Sequence, residues 1–264
     1  MKTHHCRAGT IRSALGTAAL CLGGLLPMAV CARAQGTGEW DGVMSPQAEE
    51  HHQLGRAAMA RGDWKEAQRE LWKALKHTRK AVPVYNSLGE VNLAMGDIDR
   101  AIVNFRIAIA LGSLYAPAYA NMGRALERRK DLAGAREFYE GALRLEPKWP
   151  EIRFALATVL LSLGETARAK DQFQQILKDD PAHADARYQL GMTLLVLEDA
   201  KGAEAELARV VEARPDDGKV RYDWGCALLE LGRRAEAAAA FQLARKLDPG
   251  LPPPPGEQVD TPAK

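Results

Sequence analysis

Residues 116–149 read APAYANMGRALERRKDLAGAREFYEGALRLEPKW, and this stretch decides the fold. It holds two apolar segments with i, i+3, i+4 spacing, Tyr119-Met122-Gly123-Leu126 and Ala135-Phe138-Tyr139-Ala142. That spacing gathers the apolar groups on one side of a helix. Lys130-Asp131 marks a turn between them, and Pro147 closes the unit because proline cannot continue a helix interior. The stretch predicts two antiparallel helices joined by a short turn.

The same text recurs in steps of 34 residues. Ala135 belongs to the ladder Ala67, Ala101, Ala135, Ala169, Ala203, Ala237, and Gly123 to the ladder Gly55, Gly89, Gly123, Ala157, Gly191, Gly225. Four residues after each Ala stands a large apolar residue: Leu71, Phe105, Tyr139, Phe173, Leu207 or Phe241. Three further on stand Ala74, Ala108, Ala142, Ile176, Val210 and Ala244. A fixed period without insertions is the mark of a repeat architecture. The small residues let two helices approach closely, and the large one fills the seam. Turns fall at Gly62-Asp63, Gly96-Asp97, Lys130-Asp131, Gly164-Glu165, Glu198-Asp199 and Gly232-Arg233, where Gly suits the left-handed geometry that ends a helix. Pro147, Pro181, Pro215 and Pro249 close the last four units. The first two end in Arg79 and Ser113, and there Pro83 and Pro117 open the following helix, where a missing N–H costs nothing.

Leu-Gly, then Ala, then Phe or Tyr, then Ala, then Pro at these offsets resembles the tetratricopeptide repeat, over residues 48–249. The resemblance implies an all-α fold, a right-handed α-solenoid of six helix-turn-helix units (48–81, 82–115, 116–149, 150–183, 184–217 and 218–249). The Trp expected early in each first helix is replaced by His51, Tyr85, Tyr119, Arg153, Arg187 and Arg221. Ala58, Asn92 or Leu stands for the mid-helix Tyr. No single repeat buries its own apolar face, so the units must stack.

The folded part is preceded by a different kind of sequence. Lys2, Arg7 and Arg12 are followed by an uncharged stretch from Ala14 to Ala32 and by Ala32-Arg33-Ala34. A basic start, an apolar run and a small-x-small site predict a signal peptide over 1–34, with 35–47 as linker. A periplasmic or secreted location follows. The rival readings are an uncleaved membrane anchor, weakened by Gly23-Gly24 and Pro27, and a lipid on Cys31, where Val30 stands in place of a small residue. After cleavage no stable membrane span is expected.

The whole chain has 264 residues, 36 Lys+Arg, 34 Asp+Glu and a formal charge of +2. The signal takes four basic residues and no acidic one, so 32 face 34 and the mature charge is −2. No basic cluster remains for a nucleic-acid backbone. Three of the four cysteines also leave, and Cys226 alone forms no intramolecular disulfide or cysteine metal site. It reads as a buried, inert thiol.

In this family the first helix of each repeat lines a concave groove. By offset, that lining is His52, Arg56, Asn86, Glu90, Asn121, Arg124 and Arg128 in the first three units. In the last three it is Phe154, Thr158, Tyr188, Met192, Leu195, Tyr222 and Leu229. One half is polar and cationic, the other aromatic and aliphatic. Such a surface suits an extended or helical peptide held by aromatic anchors, with Asn and Arg fixing its backbone or an acidic group. Adjacent His51 and His52 point about 100° apart on a helix and do not chelate together, and His77 and His183 read as isolated surface residues. No catalytic triad, phosphate loop or Cys-x-x-Cys appears, so no enzyme activity, cofactor or metal is expected. The sequence predicts an exported protein-interaction scaffold. An envelope assembly factor and a saccharide-binding accessory protein are the alternatives. The chain ends in Gly250-Leu251-Pro252-Pro253-Pro254-Pro255 and a polar tail, over 250–264, in place of a capping helix. The last helix, with Leu243 and Leu247, is therefore expected to be open to self-association or to another protein.

Overall fold

The computed structural model describes residues 44–78 and 81–256. The signal segment 1–34, most of the linker, Arg79 and the tail from 257 onward lie outside the described residues. Among those described there are twelve helices and no strand. They run α1 (Pro46–Ala60), α2 (Trp64–His77), α3 (Val82–Ala94), α4 (Ile98–Leu111), α5 (Ala116–Arg128) and α6 (Leu132–Leu145). Then come α7 (Pro150–Ser162), α8 (Thr166–Asp179), α9 (Ala184–Val196), α10 (Ala200–Ala213), α11 (Gly218–Glu230) and α12 (Arg234–Leu247). Pro46 and Gln47, read from sequence as linker, belong to α1. Ser45 caps it, its hydroxyl accepting the Ala48 N–H at 3.3 Å, and Pro46 fits the first turn.

The turns inside each pair share one design. The left-handed residue is Gly62, Gly96, Gly164 or Gly232, but Lys130 and Glu198 adopt the same positive φ, 67° and 60°. An aspartate follows in four turns and caps the second helix: Asp63, Asp97, Asp131 and Asp199 accept the N–H three residues on at 2.9–3.1 Å. Glu165 and Arg233 hold the same place without a side-chain cap.

Close approach explains the glycine ladder. A Cβ on Gly89 would stand 2.3 Å from the Phe105 ring, and one on Gly123 2.6 Å from Tyr139. Phe105, Tyr139, Phe173 and Leu207 are fully buried, as are the ladder alanines. In the five pairs with glycine at this position, the seam is thus a large side chain lying on a bare backbone.

Four of the six positions where the repeat pattern leads one to expect Trp do a common job with different chemistry. Arg153, Arg187 and Arg221 each donate to the carbonyl six residues earlier, that of Pro147, Pro181 and Pro215, at 2.6, 2.5 and 2.9 Å. Tyr119 Oη donates to the Ser113 carbonyl at 3.0 Å. Each latch ties a first helix to the segment that closes the preceding unit.

The fold divides between Val159 and Leu160 into two compact units. In the earlier one, the first and second pairs share an apolar cluster that includes Leu71, Leu75, Val84, Leu88 and Val91. In the later one, Cys226, Leu228, Ala240 and Phe241 form a cluster flanked by Tyr222, Trp224 and Leu229. Cys226 is a buried free thiol. None of the described helices is long and apolar enough to cross a membrane.

Candidate functional site

In the earlier unit, the first helices α3 and α5 are stitched by amides. Asn121 Nδ2 donates to Asn86 Oδ1 at 3.0 Å and to Glu90 Oε1 at 2.7 Å. Asn86 Nδ2 reaches the same Glu90 oxygen at 2.7 Å, and Arg124 Nη1 donates to Asn121 Oδ1 at 3.1 Å. Burial pushes the Glu90 carboxyl up, while the two amides, Arg124 and Arg56 pull it back toward ionisation. Arg128 Nη1 donates to the Leu93 carbonyl at 2.8 Å, closing one carbonyl at the end of α3. His52 Nε2 pairs with Ser87 Oγ at 3.1 Å, and burial lowers its pKa to about 4, so its ring is neutral.

In the later unit, Tyr188 Oη donates to Asp223 Oδ2 at 2.6 Å. Lys219 Nζ lies 5.2 Å above the Tyr188 ring and donates to its hydroxyl at 2.5 Å and to Asp223 at 3.3 Å. Burial raises the Asp223 carboxyl, opposed by Lys219 and by the Tyr188 hydrogen bond. Tyr222 packs its ring 5.0 Å from Phe241 and donates from Oη to the Pro253 carbonyl at 3.1 Å.

The residues expected to line a groove therefore divide. His52, Asn86, Asn121 and Met192 are buried, with 2–6% of their surface exposed. His52, Asn86 and Asn121 spend their polar groups on neighbouring first helices, and burial leaves none of the four an open contact surface. Arg56 and Arg128 are exposed, and Arg124, Phe154, Tyr188 and Tyr222 are half-buried. The network joins Asn86, Asn121 and Arg124, and Tyr188 and Tyr222 belong to the later unit. Sequence reading missed Ser87, Lys219 and Asp223. The signal was present: His52–Ser87, Asn86–Asn121 and Tyr188–Asp223 are all separated by 35 residues, one repeat plus one.

His77 and His183 are not isolated. His77 stacks on His51 with ring centroids 5.7 Å apart, and His51 Nδ1 pairs with Glu70 at 2.9 Å. His183 caps α9 by accepting the Ala186 N–H at 3.2 Å. No group of three or more potential metal ligands occurs among the described residues.

Repeated α-hairpins in one register define a helical repeat protein. Models of the tetratricopeptide repeat match residues 52–102, 116–159 and 154–218, and the chain belongs to that family. Repeats of this kind mediate protein–protein interaction. No curated protein matches the sequence. Among solved structures, YrrB, described as a TPR protein with an unusual peptide-binding site, is 23% identical. The match covers 68% of this chain and 93% of that one, with a TM-score of 0.64. PilF of Pseudomonas aeruginosa is 20% identical over 78% of this chain and 93% of its own, with a TM-score of 0.65. PilW, described as a widely conserved type IV pilus biogenesis factor, is 17% identical over 78% and 96%, with a TM-score of 0.62. At these identities the likeness is one of fold.

Proposed function

We propose that this chain is an exported, non-enzymatic adaptor that binds an extended segment of a protein partner along its first helices. Export rests on the signal-like sequence of residues 1–34. The observation that carries the binding reading is the Asn86–Glu90–Asn121–Arg124 network. It fixes one guanidinium, with Arg56 and Arg128 exposed on the neighbouring first helices α1 and α5. Fixed cations beside amides suit a peptide carrying a carboxylate, since a guanidinium held in place loses less freedom on pairing. The narrower role of an envelope assembly factor draws support from the pilus biogenesis factor among its structural neighbours. The saccharide reading is disfavoured, because Lys219 sits over the Tyr188 ring and Tyr222 is engaged by Phe241 and Pro253.

The test is affinity capture from the native cell envelope with wild type and with Arg56→Glu/Arg128→Glu. Partners held through this surface disappear from the variant while its helical circular dichroism is unchanged. Recovery of the same proteins by both forms overturns the reading.

A further inference from the structure

In each first helix after α1, one position of the repeat is always apolar and buried. In order these are Val84, Ala118, Ile152, Ala186 and Val220. A second ladder runs Leu75, Ile109, Leu143, Leu177 and Val211. Val84 and Leu75 share one apolar cluster, and Ala118 packs with Ile109 in another. Each ladder changes character only at one end of the described array of helix pairs. The first becomes Glu50 on α1, and the second becomes Arg245 on α12. Two ends meant only to be soluble can carry any charge. Here they carry opposite charges at the two ladder positions that pack together as Val84 with Leu75 and as Ala118 with Ile109.

The rest of the α1 face agrees. Leu54 is 48% exposed, whereas four of its five counterparts, Leu88, Met122, Leu156 and Leu190, are buried and the fifth, Trp224, is partly so. Ala57 is exposed where Val91, Ala125, Val159, Thr193 and Ala227 are buried. Glu50, Gln53, Leu54 and Ala57 lie at i, i+3, i+4, i+7, one stripe of a helix.

At the other end the chain leaves α12 along the path used between repeats. Leu251 N–H donates to the Asp248 carbonyl at 3.2 Å, as Asp217 does to Arg214 and His183 to Asp180. Pro253 then meets Tyr222 at the 31-residue offset by which Lys219 meets Tyr188. The prolines thus occupy the first turn of the place a seventh first helix would take, yet they form no helix. Pro254 and Pro255 border a cavity of about 420 Å³ whose lining includes the apolar Leu229, Ala237 and Phe241 and the cationic Arg234 and Arg245. The exposure of Leu243 and Leu247 is a separate matter. Their counterparts Arg209 and Ala213 are also exposed, so these leucines lie on the outer face of the pair.

We infer that this place receives α1 of a second copy of the chain, head to tail, with Glu50 of the incoming chain against Arg245 and Leu54 against the apolar part of the cavity lining. The proline strap must move aside, so it holds the association weak. A heterologous contact of this kind joins two unlike faces, so each bound copy offers a further end and the association runs past a two-fold dimer into rings or an open series.

Sedimentation velocity over a range of concentrations tests this. Wild type is expected to show mass-dependent association, and Pro254→Ser/Pro255→Ser to show it at lower concentration. Glu50→Arg or Arg245→Glu alone lowers the association constant by about tenfold or more. An equimolar mixture of the two single variants recovers it, because each supplies the charge the other lacks. Monomers throughout, in wild type and strap variant alike, overturn the inference. So does association that neither reversal weakens, or a closed dimer that mixing leaves unaltered.

Discussion

Tyr188 and Asp223 share a 2.6 Å hydrogen bond across a repeat boundary, between first helices 35 residues apart in sequence. The phenol is the neutral donor to a carboxylate that burial disfavours, and Lys219 completes the group. Tyr188→Phe keeps the ring under the lysine and removes the donor. The expected cost is about 1–3 kcal/mol, the range for leaving a buried acceptor short of a partner. Adding Asp223→Asn to Tyr188→Phe should restore part of it, since the charge is then gone. Urea midpoints of the two single variants and the double variant give the coupling.

His52 provides a pH prediction. Its pKa is about 4 in the fold against 6.5 when unperturbed. Between those values the unfolded chain binds a proton that the folded chain refuses. The contribution is whole above pH 6.5 and is lost as pH falls toward 4, by on the order of 3 kcal/mol. Asp223 runs in the opposite sense. Its raised pKa makes its share present below the unfolded carboxyl value and lost as pH rises through the folded one. Comparing wild type with His52→Gln cancels that second effect. The difference between their denaturation midpoints should shrink steadily from about pH 7 to about pH 4.5.

Much of this architecture was legible as text. The 34-residue ladders alone placed the helix pairs, their turns and the glycine–aromatic seam at Gly89–Phe105 and Gly123–Tyr139. What the ladders did not reveal was which lining residues stay accessible. Offset puts Asn121 and Arg124 on the same helix, three residues apart, yet one is buried and the other half-exposed. That difference is set by the neighbouring helix, 35 residues away, and a periodicity read along one chain does not report it. The Pro-rich tail was legible as non-helical, but its contact with Tyr222 depends on the turn after α12 repeating the inter-repeat geometry.

Glycine positions separate two effects. Gly89→Ala should gain helix propensity of about 1 kcal/mol, but its Cβ would stand 2.3 Å from Phe105. Overpacking of this kind costs about 1–3 kcal/mol, so a net fall in Tm is expected. An unchanged or higher Tm would mean that the Phe105 ring can withdraw.

Lys130 and Glu198 sit at positive φ where the other four turns have glycine. A side chain there costs about 1–2 kcal/mol, offset in part by the freedom glycine gives the unfolded chain. Lys130→Gly and Glu198→Gly should each stabilise the fold by roughly 0.5–1 kcal/mol. Chemical denaturation of the two variants checks this, and a loss of stability in either would show that its side chain contributes more than its backbone costs.

The reach of Arg153, Arg187 and Arg221 back to the prolines behind them has a mechanical corollary. Each clasp spans six residues and holds one hairpin to the stretch just before it, so tension along the chain would load them in series and not side by side. Pulled from its ends, such a molecule should give way in small successive steps, like a zip drawn tooth by tooth, and replacing one arginine should soften a single tooth.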